Sequence, residues 1–191
     1  MASKLDLTFS KTAPDGDHAV ICLVGAKGEL LPKLEKSLAA SVIAAMATAQ
    51  FTGEAGKSLT LYIGDRTVAL IGIGEAVEAG AEAEAVGGRI MSAVGALQSK
   101  RGYLPEQGVT AEVLADIVMG MTSSAYHFER YFTEASSNEA SVQIVVLSDE
   151  VDAAHPAIAD RAALMAGVEM ARDLAFEPAN KLSPAEFADR C

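Results

Sequence analysis

Seven consecutive residues, His18-Ala19-Val20-Ile21-Cys22-Leu23-Val24, restrict the fold more than any other part of this chain. After His18 the run has no polar position, so it cannot be a strand with one wet face, and it is far too short to cross a bilayer. A short unbroken apolar run fits a central strand covered on both sides. Such a strand requires a sheet with helices above and below it.

The rest of the chain supplies those layers. Leu5, Leu7 and Phe9 alternate with polar residues and predict a half-buried strand. Leu34, Leu38, Val42, Ala45, Met46 and Ala49 follow helical spacing. Leu59–Ile63 and Thr67–Ile73 read as a hairpin around Gly64-Asp65-Arg66. Gly80–Leu97 predicts a helix, with Val86, Ile90, Ala93, Val94 and Leu97 on one face. Val109–Val113 suggests a short strand, followed by a long helix marked by Leu114, Val118, Met121, Ala125, Phe128 and Phe132. Val142–Leu147 is a further buried strand, and Ala157–Leu174 a helix with Leu164, Val168, Ala171 and Leu174 on its apolar face. Thr12–Asp17, Phe51–Ser58, Lys100–Gly108 and Thr133–Ser141 read as loops. The alternation predicts an α/β fold, a mixed sheet with helices on both faces.

Composition narrows the function classes. With 191 residues, half of them apolar, the chain can bury a full core. A formal charge of −11 disfavours a nucleic-acid binder, and Lys33, Lys36, Lys57, Lys100 and Arg101 are interleaved with acids and glycines. The longest apolar run is far too short to span a bilayer, so no membrane partner is expected, and the start, MASKLDLTFS, shows no secretory signal. Cys22 reads as a small core residue, and two cysteines make no disulfide framework. The expected compartment is cytoplasmic.

The candidate chemistry is thin. Gly72-Ile73-Gly74 after a strand suggests a phosphate-binding turn, but Val77 stands where the third glycine belongs. His18, His127 and His155 lie in distant segments without paired-ligand spacing, and no nucleophile elbow or Cys/His pair appears. Glu82/Glu84 and Asp149/Glu150/Asp152 read as solvated charges. In the aromatic cluster Tyr126, Phe128, Tyr131 and Phe132, Phe128 and Phe132 are assigned to the core face, with Glu129 and Arg130 outside. The two tyrosine hydroxyls are left for water or an adjoining domain. Gly120, Ser123 and Ser124 keep one helix face small for a close neighbour. No catalytic, cofactor-binding or metal-binding residue is therefore assigned.

The most specific signal is Met170–Cys191, MARDLAFEPANKLSPAEFADRC. Pro178 pushes Glu177 out of helical geometry, and Asn180 is suited to bond nearby backbone in a turn. Ser183-Pro184-Ala185-Glu186 is a helix start that reaches only about two turns before Cys191, so the chain is expected to be cut within an element. Arg172, Asp173, Leu174, Glu177, Pro178, Ala179, Asn180, Leu182, Pro184 and Glu186 together resemble a segment of the leucyl aminopeptidase family. Ser124–Tyr131 and Val68–Glu75 are similar to two further family blocks, while Phe176 departs from the polar residue many relatives carry.

The resemblance implies a macro-domain-like three-layer sandwich over residues 1–150, a linker helix over 151–176 and the start of a catalytic domain over 177–191. It also implies a parent cytosol aminopeptidase that releases N-terminal residues of peptides. Two divalent metals, zinc or manganese, would sit in the catalytic domain, outside this stretch, with a homo-hexamer as the assembly. On that reading this chain is the non-catalytic N-terminal domain, partnered by its own catalytic domain, with a role in assembly or active-site access. The alternative is a free-standing macro-like module that binds an ADP-ribose-type nucleotide at Gly72–Gly74.

Overall fold

The computed structural model describes residues 5–128, 130–131 and 141–190. The strands are β1 (Leu5–Ser10), β2 (Ala19–Gly25), β3 (Glu29–Leu30), β4 (Ser58–Ile63), β5 (Arg66–Gly74), β6 (Arg101–Leu104) and β7 (Val142–Leu147). The helices are α1 (Lys36–Thr48), α2 (Ala81–Gly95), α3 (Ala111–Ala125), α4 (Pro156–Phe176) and α5 (Pro184–Arg190). One sheet of seven strands runs β1-β7-β6-β2-β5-β4, with β3 paired to the end of β2. β4 and β5 form the antiparallel hairpin expected around Gly64, and the long central pairings are parallel. The α/β class and the mixed sheet are as the sequence predicted.

Every residue of β2 is buried. Val20, Cys22 and Val24 face Leu38, Val42 and Met46 of α1. Ile21 and Leu23 face the opposite layer, built from α2, α3 and the first turn of α4. Alternate side chains therefore need separate cover, and each buried aliphatic residue contributes about 1.5–3 kcal/mol.

The second layer depends on two backbones in contact. A Cβ on Gly87 of α2 would lie 2.0 Å from the Ile117 carbonyl oxygen, and one on Gly120 of α3 would lie 2.0 Å from that of Glu84. The small face expected around Gly120 is thus occupied by α2. Ser123 has a different neighbour, since Arg172 of α4 donates to its carbonyl at 2.9 Å and to its Oγ at 2.9 Å.

Four expectations are corrected. Arg101–Leu104, expected as loop, is β6, where Gly102 lets Ile21 and Val94 close over the strand at 3.0 and 3.1 Å from a built Cβ. Val109–Val113, expected as strand, instead leads into α3 at Ala111; Thr110 Oγ1 accepts from the Val113 amide as its cap. α3 stops at Ala125 because Tyr126 is extended, so Phe128 leaves the helix, and Phe132 falls outside the described residues. α4 is seated through Ala157, Ile158 and Met165, and Leu164 is 53% exposed. The helix carries apolar residues on two faces, so periodicity alone misjudged which one is buried.

Gly87→Ala sets helix propensity against overpacking. Propensity favours alanine by up to about 1 kcal/mol, whereas a methyl driven into a backbone carbonyl costs about 2–3 kcal/mol. The steric cost wins. Urea denaturation should show a net loss of at least about 1 kcal/mol, and unchanged or raised stability would contradict the close crossing.

Candidate functional site: the joint around Glu177

Pro178 ends α4 by holding Glu177 in the extended region, while the Glu177 amide still donates to Asp173 O at 3.1 Å. The turn is closed by the Pro178 carbonyl, which accepts from Lys181 N at 2.8 Å and Leu182 N at 3.0 Å. The bond expected from Asn180 is not made among the described residues. Ser183 Oγ then caps α5, accepting from Glu186 N at 3.2 Å.

Glu177 itself is the centre of the joint. Its carboxylate side chain is wholly enclosed. Arg130 Nη1 donates to Oε1, Tyr131 OH donates to Oε2, and Arg190 Nη1 donates to Oε1 at 2.9 Å. One turn earlier, Tyr126 OH donates to Asp173 Oδ1 at 2.7 Å and Arg130 Nη2 lies 3.8 Å from Oδ2. Arg172 sits over the Tyr126 ring at 5.3 Å, and Phe128 stacks on Phe176 with centroids 5.5 Å apart. Phe128 is therefore a joint residue and not a core residue. Arg130, expected on an outer face, turns inward to Glu177; Glu129 lies outside the described residues. Tyr126 and Tyr131 spend their hydroxyls on α4 and the turn after it.

A second buried carboxylate fixes the other end of α4. Asp116 Oδ1 accepts from Arg161 Nε at 2.6 Å, and Oδ2 accepts from the Gly80 amide at 2.7 Å, where α2 begins. Burial opposes its ionisation, but these two donors outweigh it and hold its pKa below the ordinary value. Gln107 plays a comparable part beside β2: Oε1 accepts from Leu23 N at 2.9 Å while Nε2 donates to Ile21 O at 3.2 Å and Pro105 O at 2.7 Å. No local sequence signal announced either contact.

The remaining candidates stay apart. His155 caps α4 by accepting from Ala157 N at 3.3 Å, and His18 Nδ1 is buried without a partner among the described residues. Among the described residues no group of three or more His, Cys, Asp or Glu side chains is placed to hold a metal. The Gly72–Gly74 turn is closed against its own chain. Gly72 N donates to Lys57 O at 2.8 Å and Gly74 N to Gly53 O at 2.9 Å, and a Cβ on Gly72 would meet Glu54 O at 2.1 Å. The amides a diphosphate needs are already used, and the glycines serve loop packing. The nucleotide-binding alternative thus loses the turn on which it stood.

A mixed seven-stranded sheet between two helical layers, closed by a C-terminal joint, defines an α/β domain. The sequence model of the cytosol aminopeptidase family, N-terminal domain, matches residues 22–135. The chain belongs to the cytosol aminopeptidase family and carries its N-terminal domain. A probable cytosol aminopeptidase of Rhizobium etli (strain CIAT 652) is 31% identical over 202 residues, covering 100% of this chain and 41% of that protein. One from Brucella ovis (strain ATCC 25840 / 63/290 / NCTC 10512) is 29% identical, with 99% and 41% covered. The chain thus spans about two-fifths of the length of these relatives. In fold it is similar to a tomato leucine aminopeptidase mutant, K354E (TM-score 0.74, 20% identity, covering 98% of this chain and 41% of that one). It is also similar to a bottromycin maturation enzyme, BotP, in complex with Mn (TM-score 0.64, 22% identity, covering 92% and 35%).

Donation from Tyr131, then from Arg190 and Arg130, holds the Glu177 pKa down from 4.5 to about 2. A lowered carboxylate pKa stabilises the fold above the unfolded value and loses that contribution as pH falls through the folded one. The stability gap between wild type and Glu177→Gln should therefore be widest above about pH 5 and narrow steadily towards about pH 2. Parallel denaturation curves across that window test it. A gap independent of pH would mean that the carboxylate is not ionised in this network.

Proposed function

We infer that this chain is the non-catalytic N-terminal domain of a metal-dependent aminopeptidase, and that it serves assembly or access to the active site. The full-length protein would release N-terminal residues from peptides, using two divalent metals, zinc or manganese, held by its catalytic domain. Residues 1–150 form the domain body on this reading, 151–176 the linker helix and 177–191 the start of the catalytic domain. A macro-like description of the body, a cytoplasmic location and a homo-hexameric assembly belong to the same reading. The observation that carries it is the match to an N-terminal-domain family model in a chain spanning 41% of its relatives.

The outward face of α4 supports a docking role. Phe176, stacked on Phe128 at the helix end, and Phe187 of α5 are 61% and 47% exposed, while Leu164 (53% exposed) and Met170 (39%) lie on the outward face. Ala163, Gly167 and Ala171 lie between them on the exposed side at helical spacing. The Glu177 network holds this face rigid relative to α3, so its natural cover is the chain's own catalytic domain. That is the arrangement of a two-domain enzyme whose accessory half presents a preformed surface.

The isolated 191-residue chain should give no hydrolysis of leucine p-nitroanilide above blank with added manganese. Turnover that a chelator abolishes would overturn the assignment. If the α4 face awaits a partner, Leu164→Asp should alter the stability of the chain by less than about 0.5 kcal/mol in urea denaturation. A loss of about 2 kcal/mol or more would show that Leu164 is already packed within the domain.

A further inference from the structure

From Pro178 to Arg190 the chain stands off the domain body. Every residue of that stretch is exposed except Leu182 and Arg190, which are half-buried, and α5 buries none of its 7 residues. A helix this short is marginal in water unless something holds it. Its internal bonds are its own: Ser183 O accepts from Phe187 N at 2.9 Å, and Ser183 Oγ accepts from Glu186 N at 3.2 Å. Among the described residues, a single side chain of α5 makes a polar contact with the body. Arg190 Nη1 donates to Glu177 Oε1 at 2.9 Å.

Arg190 is arranged as a clip. Its Nε donates to Glu186 Oε1 at 3.1 Å, one turn earlier on the same helix, and Nη2 lies 3.1 Å from the same oxygen. That pairing orients the guanidinium and leaves Nη1 for Glu177. A planar fork can hold two carboxylates in this way, which a lysine ammonium cannot match. The receiving side is fixed independently. Glu177 Oε1 also accepts from Arg130 and Oε2 from Tyr131, while Arg130 Nη2 lies 3.8 Å from Asp173 Oδ2. The contact is therefore unequal for its two partners. Without Arg190, Glu177 keeps two donors and its place at the end of α4, whereas α5 loses its polar hold on the body. Arg190 is 31% exposed, so water can replace Glu177 around its guanidinium.

We propose that Arg190 is a latch: α5 docks on the body and swings away from it as a unit, and the Arg190–Glu177 pair is the contact that makes and breaks. The pivot lies between the turn closed by the Pro178 carbonyl and the Ser183 cap. The body is the same in both states, because Arg130 and Tyr131 keep Glu177 in place. Two positions of one element, separated by one bridging contact, make a population that solution conditions can shift. Whatever follows α5 in a longer protein is carried with it, so on the reading proposed above the latch aims the next domain. The latch itself belongs to α5 and Glu177 and does not rest on that reading.

The test is double electron–electron resonance on the 191-residue chain, with one nitroxide on Cys191, next to α5 in sequence, and the other on Tyr62→Cys. Tyr62 is 77% exposed on the edge strand β4, and Cys22 is fully buried and stays unlabelled. The docked state should give one narrow distance. Raising the salt from about 0.1 M to about 1 M shortens the screening length from about 10 Å to about 3 Å and should feed a broad second distance. Arg190→Ala should lower the docked-to-undocked ratio at least about tenfold, as expected for loss of a hydrogen bond to a charged group, and should abolish the salt response. Amide protection of Ile21–Val24 should match that of wild type. A narrow distance that survives both the substitution and the salt overturns the proposal. So does a salt response retained in Arg190→Ala, or a fall in Ile21–Val24 protection in that variant.

Discussion

The enclosure of β2 on both faces is the constraint from which the rest of the domain follows. A strand with no wet face needs a neighbour on each edge and a layer on each side. β5 and β6 supply the edges, α1 one layer, and α2 with α3 the other. β6 is only four residues long, and the strand's remaining backbone groups still have to be satisfied. Gln107 does this with its side-chain amide, serving Leu23 N and Ile21 O where a longer strand would have used its own backbone. The apolar burial is thus made possible by one well-placed polar side chain.

Two carboxylates then decide where the outer helix sits. Asp116 ties α4 to the start of α2, and Glu177 ties its far end to the segment after α3. Both are enclosed and both are met by arginine, the cation best suited to a planar, multiply donated contact. Removing one partner would leave a buried charge unanswered, which is far more damaging than loss of a surface pair. The apolar packing of α4 is slight, with only Ala157, Ile158 and Met165 buried. Directional polar contacts therefore set its position, and its other apolar residues remain outside. A helix held in this way presents a fixed surface to a second domain without collapsing onto its own.

Local pattern made much of this legible. The all-apolar β2, the Gly64 hairpin, β7 and the α1 and α2 periodicities carry their structure in adjacent residues. β6 does not: Arg101-Gly102-Tyr103-Leu104 has neither alternation nor β-branched residues, and it is a strand because Ile21 and Val94 close over Gly102. The buried face of α4 was misjudged for a related reason, since Arg161 and Arg172 occupy the inner face that periodicity reserves for leucines. The joint was half readable. Glu-Pro-Ala-Asn announced a break after α4, but nothing within reach of Glu177 along the chain pointed to Arg130 and Tyr131, which meet it from 47 and 46 residues away. Long-range polar pairing leaves no periodic trace in a single sequence.

Native-state amide hydrogen exchange across the sheet is the most direct measurement of whether the doubly covered strand organises the domain. The Ile21 to Val24 amides should exchange only through global unfolding, with an opening free energy equal to that from denaturant. Those of the edge strands β1 and β4 should open at lower cost. Exchange from β2 as fast as from either edge would contradict a fold built around that strand.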